Sequence, residues 1–526
     1  MKRIIIASVV LVLAAGIALA EGSKETAKAP AGPVKLKFFQ ELDAKISATL
    51  KSHKEVAAFR EMEKLTGMDI EWIHPPVGQA AEQFNLMIAS MDLPDMIYWN
   101  WGAYPGGPAK AIRDKVILPL NEQAAKGAPE LTRIFNANPE AKKQAILDDG
   151  TIFMFPLFRL RQDSPDWFKV AGPQFRKDWL AKAGLKPPAT LDELYKVLTY
   201  FKNNDMNGNG DKGDEIPFAA QKAGELRNLA GAFGVSHQFF MKGGKVSFGP
   251  VDPAYKDFLT LLNKWYAEGL IDREYAVTDG KSFDAKVTGN KAGFYIGLLA
   301  GQMGRYLTLM AKTNPDFDLQ AGSWVQGPGG KPYTTMTDYT RVVIGVGTAI
   351  TTTSKNIPAA TKWLDFAYTP AGHMLLAFGV EGESYTMKDG KPVFTDTVLK
   401  SPNGWSIDQA ISRYALQVAN YSMTKDSRAF LQVQMSMPQQ QEAQKYWGAV
   451  DTSLILPPVT PTAEESSRLT AIMTEVNTYS DEMFDKFVMG LEPLSKFDDY
   501  AATIKKMKID EAVAIYQAAL DRYNKR

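Results

Sequence analysis

The chain of 526 residues contains no cysteine and only four histidines. Without cysteine there is no disulfide framework, no thiol nucleophile and no sulfur on which a lipoprotein anchor could be built. His53, His74, His237 and His373 lack the spacing of zinc ligands. Neither sign of charge prevails, with 60 Lys and Arg against 59 Asp and Glu, so neither nucleic acid nor an anionic membrane is an implied partner. A G-x-S-x-G elbow is absent. The G-x-G-x-x-G string at 208–213 follows no strand, and its flanking carboxylates would repel a pyrophosphate. After the first twenty residues no second membrane-length apolar run occurs.

That first stretch is informative. Lys2 and Arg3 precede an apolar run ending in Ala-Leu-Ala at 18–20, the pattern of a cleaved secretory signal. Residues 21–33, rich in Lys, Ala, Gly and Pro, read as a flexible leader. A leader without an acylation point predicts a freely diffusing protein of a Gram-negative periplasm. The remaining length is too great for one core and suits two large lobes.

Hydrophobic periodicity predicts an α/β chain. Residues 34–39 alternate like a strand, Ala58, Phe59, Met62 and Leu65 fall on one helix face before Gly67, and 68–73 form a second strand. A helix over 82–90 and a short apolar strand ending near Trp99 follow. Strand, helix, strand, helix, strand is the grammar of an open, mainly parallel sheet, whose ligands bind beyond the carboxyl ends of the strands. A fresh α/β pattern begins after Pro156, and 341–350 read as a long apolar strand returning to the first lobe. The expected division is therefore 34–156 with 341–400 as one lobe and 157–340 with 401–526 as the other. Capping boxes at Thr190–Glu193 and Thr462–Glu465 open firm helices, and the tail is helical.

The first of those helices delivers the chain into DMNGNGDKGDE at 205–215. Asp205, Asn207 and Asn209 put side-chain oxygens at alternate positions, Gly210 supplies a sharp bend, the main-chain carbonyl of Asp211 follows, and Asp214 and Glu215 close the shell. Calcium needs this arrangement of hard ligands. Ile216-Pro217 forbids the exit helix of an EF-hand, so a stand-alone structural Ca²⁺ site is expected, the alternative being an Asx-rich turn without metal.

Taken together, FNLMIASMDLPD at 84–95, RKDWL at 176–180, the 205–218 loop, WYAEGLID at 265–272, GVEGESY at 379–385 and QAALDRY at 517–523 resemble the family 1 extracellular solute-binding proteins of sugar ABC importers, in the lipoprotein-A-like and alginate-binding branch. The resemblance spans nearly the whole chain after the leader. It implies a maltose-binding-protein-like fold of two α/β lobes, mixed sheets and a helical C-terminal tail, closing over an oligosaccharide and handing it to an inner-membrane ABC permease. No chemistry is required of it, and a monomer is expected. Alginate-binding relatives hold calcium in a similar turn, although Asp214-Glu215 arrive one residue later here, leaving open which of the two is bidentate. The other readings are a secreted carbohydrate-active enzyme, a glycosidase or lyase, and a binder of peptide.

Sugars ask for aromatic platforms beside planar polar groups. Trp99, Trp101 and Tyr104 stand after the third strand, and Phe158 and Arg159 stand just past the crossing. Trp324 lies in a glycine-rich loop, Tyr339 and Arg341 open the return strand, and Glu381, Glu383, Tyr385 and Trp405 lie in later loops. These twelve are the candidate ligand contacts. Arg159, Arg161, Arg176 and Arg341 would suit an acidic sugar.

Overall fold

The computed structural model describes residues 32–76, 78–159, 169–418 and 423–526. The expected signal at 1–20, the leader as far as residue 31, and Arg161 lie outside them. Five strands form the first sheet: β1 (Val34–Phe39), β2 (Met68–Ile73), β3 (Met96–Trp99), β4 (Phe155–Phe158) and β11 (Val343–Ile350), in the order β2-β1-β3-β11-β4. β1 runs parallel to β2 and β3, whereas β11 runs antiparallel to β3 and β4. The second sheet has the order β10-β5-β9-β6, built from β5 (Ala171–Arg176), β6 (Ile216–Phe218), β9 (Ala292–Leu298) and β10 (Leu319–Ala321). Two hairpins, β7 (Phe239–Lys242) with β8 (Lys245–Phe248) and β12 (Tyr385–Lys388) with β13 (Lys391–Phe394), stand apart.

Each sheet has its own core because helices cover its apolar faces. Phe38, Ile97, Phe155 and Ile350 are buried at the centre of the first. In the second, the Phe294 ring stacks on Phe175 at 4.4 Å and meets Phe218 at 4.7 Å, each such buried side chain contributing roughly 1.5–3 kcal/mol of burial free energy. The helix Ala463–Met489 brings Val476, Phe484 and Phe487 to that second core. Both expected capping boxes are formed, at Thr190 with Glu193 and at Thr462 with Glu465. A third, smaller core joins Phe378, Tyr385 and Phe394 to Ile411, Ala415 and Val433. Residues 401–433, expected with the second lobe, thus share a core with 377–398, and the second core resumes at Met435.

Three stretches connect the two sheets. The first follows β4 and the second precedes β11. The third runs beside β4, where Phe158 N–H donates to the Met423 carbonyl at 3.0 Å, and reaches Gln440, whose Nε2 donates to the Leu299 carbonyl at 3.0 Å. The C-terminal helix Ile509–Lys525 makes a further link. Arg522 Nε and Arg526 Nη2 donate to Asp148 at 2.5 and 2.6 Å, and Tyr523 donates to Glu140.

Candidate functional site

β6 and β9 run parallel, so their carboxyl ends point the same way, and antiparallel β5 places its first residue, Ala171, opposite Leu298. A cavity of about 620 Å³ opens at that edge, within the size range of small-molecule sites. Gln221, Glu225 and Asn228 reach it from the chain after β6. After β9 the backbone winds as a π-helical turn, Leu299–Gly304, a geometry that concentrates at functional sites. That turn presents Gln302 and leads to Arg305.

The polar groups are held in place. Glu225 Oε2 accepts from the Gln221 backbone N–H at 2.7 Å, and burial pushes its carboxyl up to about 7. Gln302 Oε1 accepts from the Leu298 N–H at 2.6 Å, which leaves its amide nitrogen as donor. Arg305 grips Asp284 with both Nη atoms, at 2.8 and 2.5 Å, while Tyr306 donates to the same carboxylate at 2.6 Å. His237 Nδ1 is buried without a partner, and burial, reinforced by the charge of Arg227, pushes the ring down to about 4. Leu298, 51% exposed, adds an apolar surface to the rim. The set can donate to and accept from hydroxyls around one apolar face.

None of the twelve sequence candidates lines this cavity. Trp99 is half-buried at the carboxyl end of β3 and stacks on Phe84 at 4.1 Å. Arg159 pairs with Asp338 at 3.3 Å, beside the connections, and Arg341 lies on the same crossing. Several expectations are corrected by burial. Trp101 is wholly buried and its indole donates to the Gly347 carbonyl at 3.2 Å, so it is a packing residue. Phe158 is likewise inside the first core. Tyr104 is buried and donates to Asp114 at 2.7 Å. Trp324 donates to the Tyr339 hydroxyl, which donates in turn to the Ala171 carbonyl at 2.6 Å, so this buried pair anchors the rim from behind. Tyr385 belongs to the third core, with exposed Glu381 and Glu383 on the loop before it. Trp405 stacks under the Arg413 guanidinium. Arg176, suggested for an acidic sugar, is buried in a bidentate pair with Asp178.

The 205–215 loop is tied up by its own side chains. Asp205 accepts from the backbone of Gly208, Asn209 and Gly210, Asn207 Oδ1 accepts from Asn209 N–H, and Asn209 Oδ1 accepts from Asp211 N–H. Gly208 and Gly210 have φ of 76° and 88°, the left-handed region this coil demands. Asp211 Oδ1 accepts from Gly213 N–H. Asp214 is held by the amide nitrogens of Asn207 and Asn209 and by Lys291. Among the described residues no group of three or more His, Cys, Asp or Glu side chains forms a metal cluster, the carboxylates of Asp205, Asp214 and Glu215 included. Glu215 Oε1 accepts from Met206 N–H at 2.7 Å, and its Oε2 is buried with no partner. A cation would satisfy that oxygen, so the residues fit calcium.

Comparison with known proteins places this geometry in context. The family of bacterial extracellular solute-binding proteins matches residues 48–374, well over half of the chain. The fructooligosaccharide ABC transporter substrate-binding protein FusA of Streptococcus pneumoniae serotype 4 is 27% identical over 98% of this chain and 97% of its own length. The crystal structure of alginate-binding protein AlgQ2 without calcium ion superposes with a TM-score of 0.71 at 27% identity, covering 93% of this chain and 98% of that one. FusA in complex with kestose gives 0.71 at 25% identity over 93% and 99%, and a further FusA structure is described as an EF-hand mutant. Among the described residues no helix is long and apolar enough to cross a membrane.

Proposed function

We propose a sugar-import role for this chain, which belongs to the bacterial extracellular solute-binding proteins. The family consists of binding proteins, so the chain is not an enzyme. It captures an oligosaccharide and delivers it intact to an ABC permease. The observation that carries this reading is the cavity at the carboxyl edge of β6 and β9, where Gln221, Glu225, Asn228 and Gln302 gather polar groups beside the connections between sheets. FusA is described as binding fructooligosaccharide and AlgQ2 as binding alginate, which supports a carbohydrate of several units. Trp99, Arg159 and Arg341, at the facing edge of the first sheet, are the proposed contacts from the other lobe.

The mechanism is hinge closure. Sugar held by both lobes stabilises the closed form by its differential affinity for it. We propose that one lobe contains 34–158 and 343–433 and the other contains 171–321 and 435–512, following the cores. The protein works in the periplasm as a free monomer after loss of the leader. The 205–215 loop would hold a structural Ca²⁺, with Glu215 offering its unpartnered oxygen as a ligand. Incubation with an oligosaccharide panel, read by calorimetry and by mass spectrometry of the recovered ligand, tests the assignment. One-to-one binding of intact sugar is expected, and turnover or no binding would overturn it.

A further inference from the structure

We infer that the ligand is an uncharged oligosaccharide and that uronate oligomers are excluded, because the one arginine among the described residues lining the cavity is neutralised by its own carboxylate partner while a second carboxyl faces the ligand alone. The inference rests on the carrier reading above and goes beyond it, since the relatives include binders of both sugar classes: FusA is described for fructooligosaccharide, AlgQ2 for alginate.

Among the described residues lining the cavity, the ionisable side chains are Glu225, His237, Asp284 and Arg305. A sugar carboxylate is recognised by an unpaired guanidinium or ammonium, most strongly by a bidentate fork. Arg305 already spends that fork on Asp284, with Nη1 and Nη2 at 2.8 and 2.5 Å from its two oxygens, and its Nε donates to the Gly301 carbonyl at 2.8 Å. Tyr306 fixes the same carboxylate at 2.6 Å, so the pair is held from two sides. Beyond the lining, Arg159 is paired with Asp338 and Arg227 with Asp481 at 2.7 Å. Lys169 donates to the Tyr339 carbonyl and lies over its ring at 4.9 Å.

The remaining lining is suited to hydroxyls. Glu225 accepts from an O–H, the Gln302 nitrogen donates to one, and the amides of Gln221 and Asn228 can do either. A uronate carboxylate brought to the same place would meet Glu225 with no unpaired guanidinium or ammonium among the described residues of the lining to offset the repulsion, Arg341 standing on the crossing outside it, and a like-charge contact of this kind is a device that rejects wrong ligands. Removing the partner of Arg305 should therefore relax the exclusion.

The test is calorimetry on the mature, calcium-loaded protein at pH 7.5 with neutral tri- and tetrasaccharides (fructans, glucans, galactans, xylans) and with oligomers of galacturonate, mannuronate and guluronate. The expected result is that the tightest ligand is neutral and that no uronate oligomer comes within a hundredfold of it. A uronate that binds as tightly as the best neutral sugar overturns the inference and leaves the carrier reading standing. Binding in neither set overturns both. The variant Asp284→Asn, with its fold checked by circular dichroism, removes the charge that neutralises the guanidinium and should raise uronate affinity at least tenfold. A folded variant with no such gain also counts against the inference, and the wild-type panel decides it should the variant misfold.

Discussion

Glu225, proposed as a ligand contact, is buried at the expense of stability, and replacing it separates the two effects. Burial raises its carboxyl from the ordinary 4.5 to about 7. Each tenfold change in proton affinity corresponds to about 1.4 kcal/mol, so holding the charged form in the folded protein costs about 3 kcal/mol. Below pH 4.5 the group is protonated in both folded and unfolded chains and costs nothing. As pH rises towards 7 the unfolded chain ionises first, and the folded state loses stability until its own carboxyl ionises. Glu225→Gln keeps an oxygen for the Gln221 N–H and removes the charge. The variant should therefore match the wild type near pH 4 and exceed it by about 3 kcal/mol at pH 8, while sugar affinity falls. Denaturant unfolding of both proteins across that pH range, with calorimetry on the same samples, measures both quantities. Equal stability of the two proteins at pH 8 would refute the buried-carboxyl reasoning, and unchanged sugar affinity would remove Glu225 from the site.

Three further outcomes are expected. Chelation should lower the melting temperature with little change in sugar affinity, because a metal bound only by the folded protein stabilises it by about 2.7 kcal/mol when free calcium is a hundred times its Kd; the loss should vanish in Glu215→Gln, and metal analysis of the purified protein checks occupancy. Asp148→Ala strips Arg522 and the buried Arg526 of their shared acceptor, so urea unfolding should show a loss of about 3 kcal/mol, the scale for breaking a buried pair from one side. His53, whose ring nitrogens are buried without partners, is held well below 6.5 by burial and then by the charge of His74, itself lowered by burial. The unfolded chain takes up protons below pH 6.5 that the folded chain refuses, so stability present above that pH is lost as pH falls, and His53→Phe should flatten the decline.

The skeleton of the fold was legible because its signals are local. Alternation over 34–39 and 68–73 and the two capping boxes depend on neighbours in sequence, and all appear where periodicity and capping chemistry predict them. The recurrence of the 343–350 strand in the first sheet was readable from its long apolar run. The site was much less legible. Aromatic residues were the natural guess for sugar platforms, yet burial of aromatic surface is non-directional, and Trp101, Phe158, Trp324 and Tyr339 went to cores and rims instead. Gln221, Glu225, Gln302 and Arg305 look like ordinary loop residues in sequence. Only the parallel pairing of β6 with β9 brings the chains after them to one edge, although the rule that ligands sit beyond carboxyl ends could have singled out the residues directly after each strand. The packing of the 401–433 stretch was illegible for a similar reason, since its partners at 377–398 are set by tertiary packing.

Small-angle X-ray scattering of the mature protein, titrated with the tightest oligosaccharide from the panel, tests the two-lobe clamp most directly. A saturable fall in radius of gyration at one sugar per chain, with the ligand recovered intact, is the predicted result. A radius that stays constant while calorimetry reports saturation would contradict hinge closure.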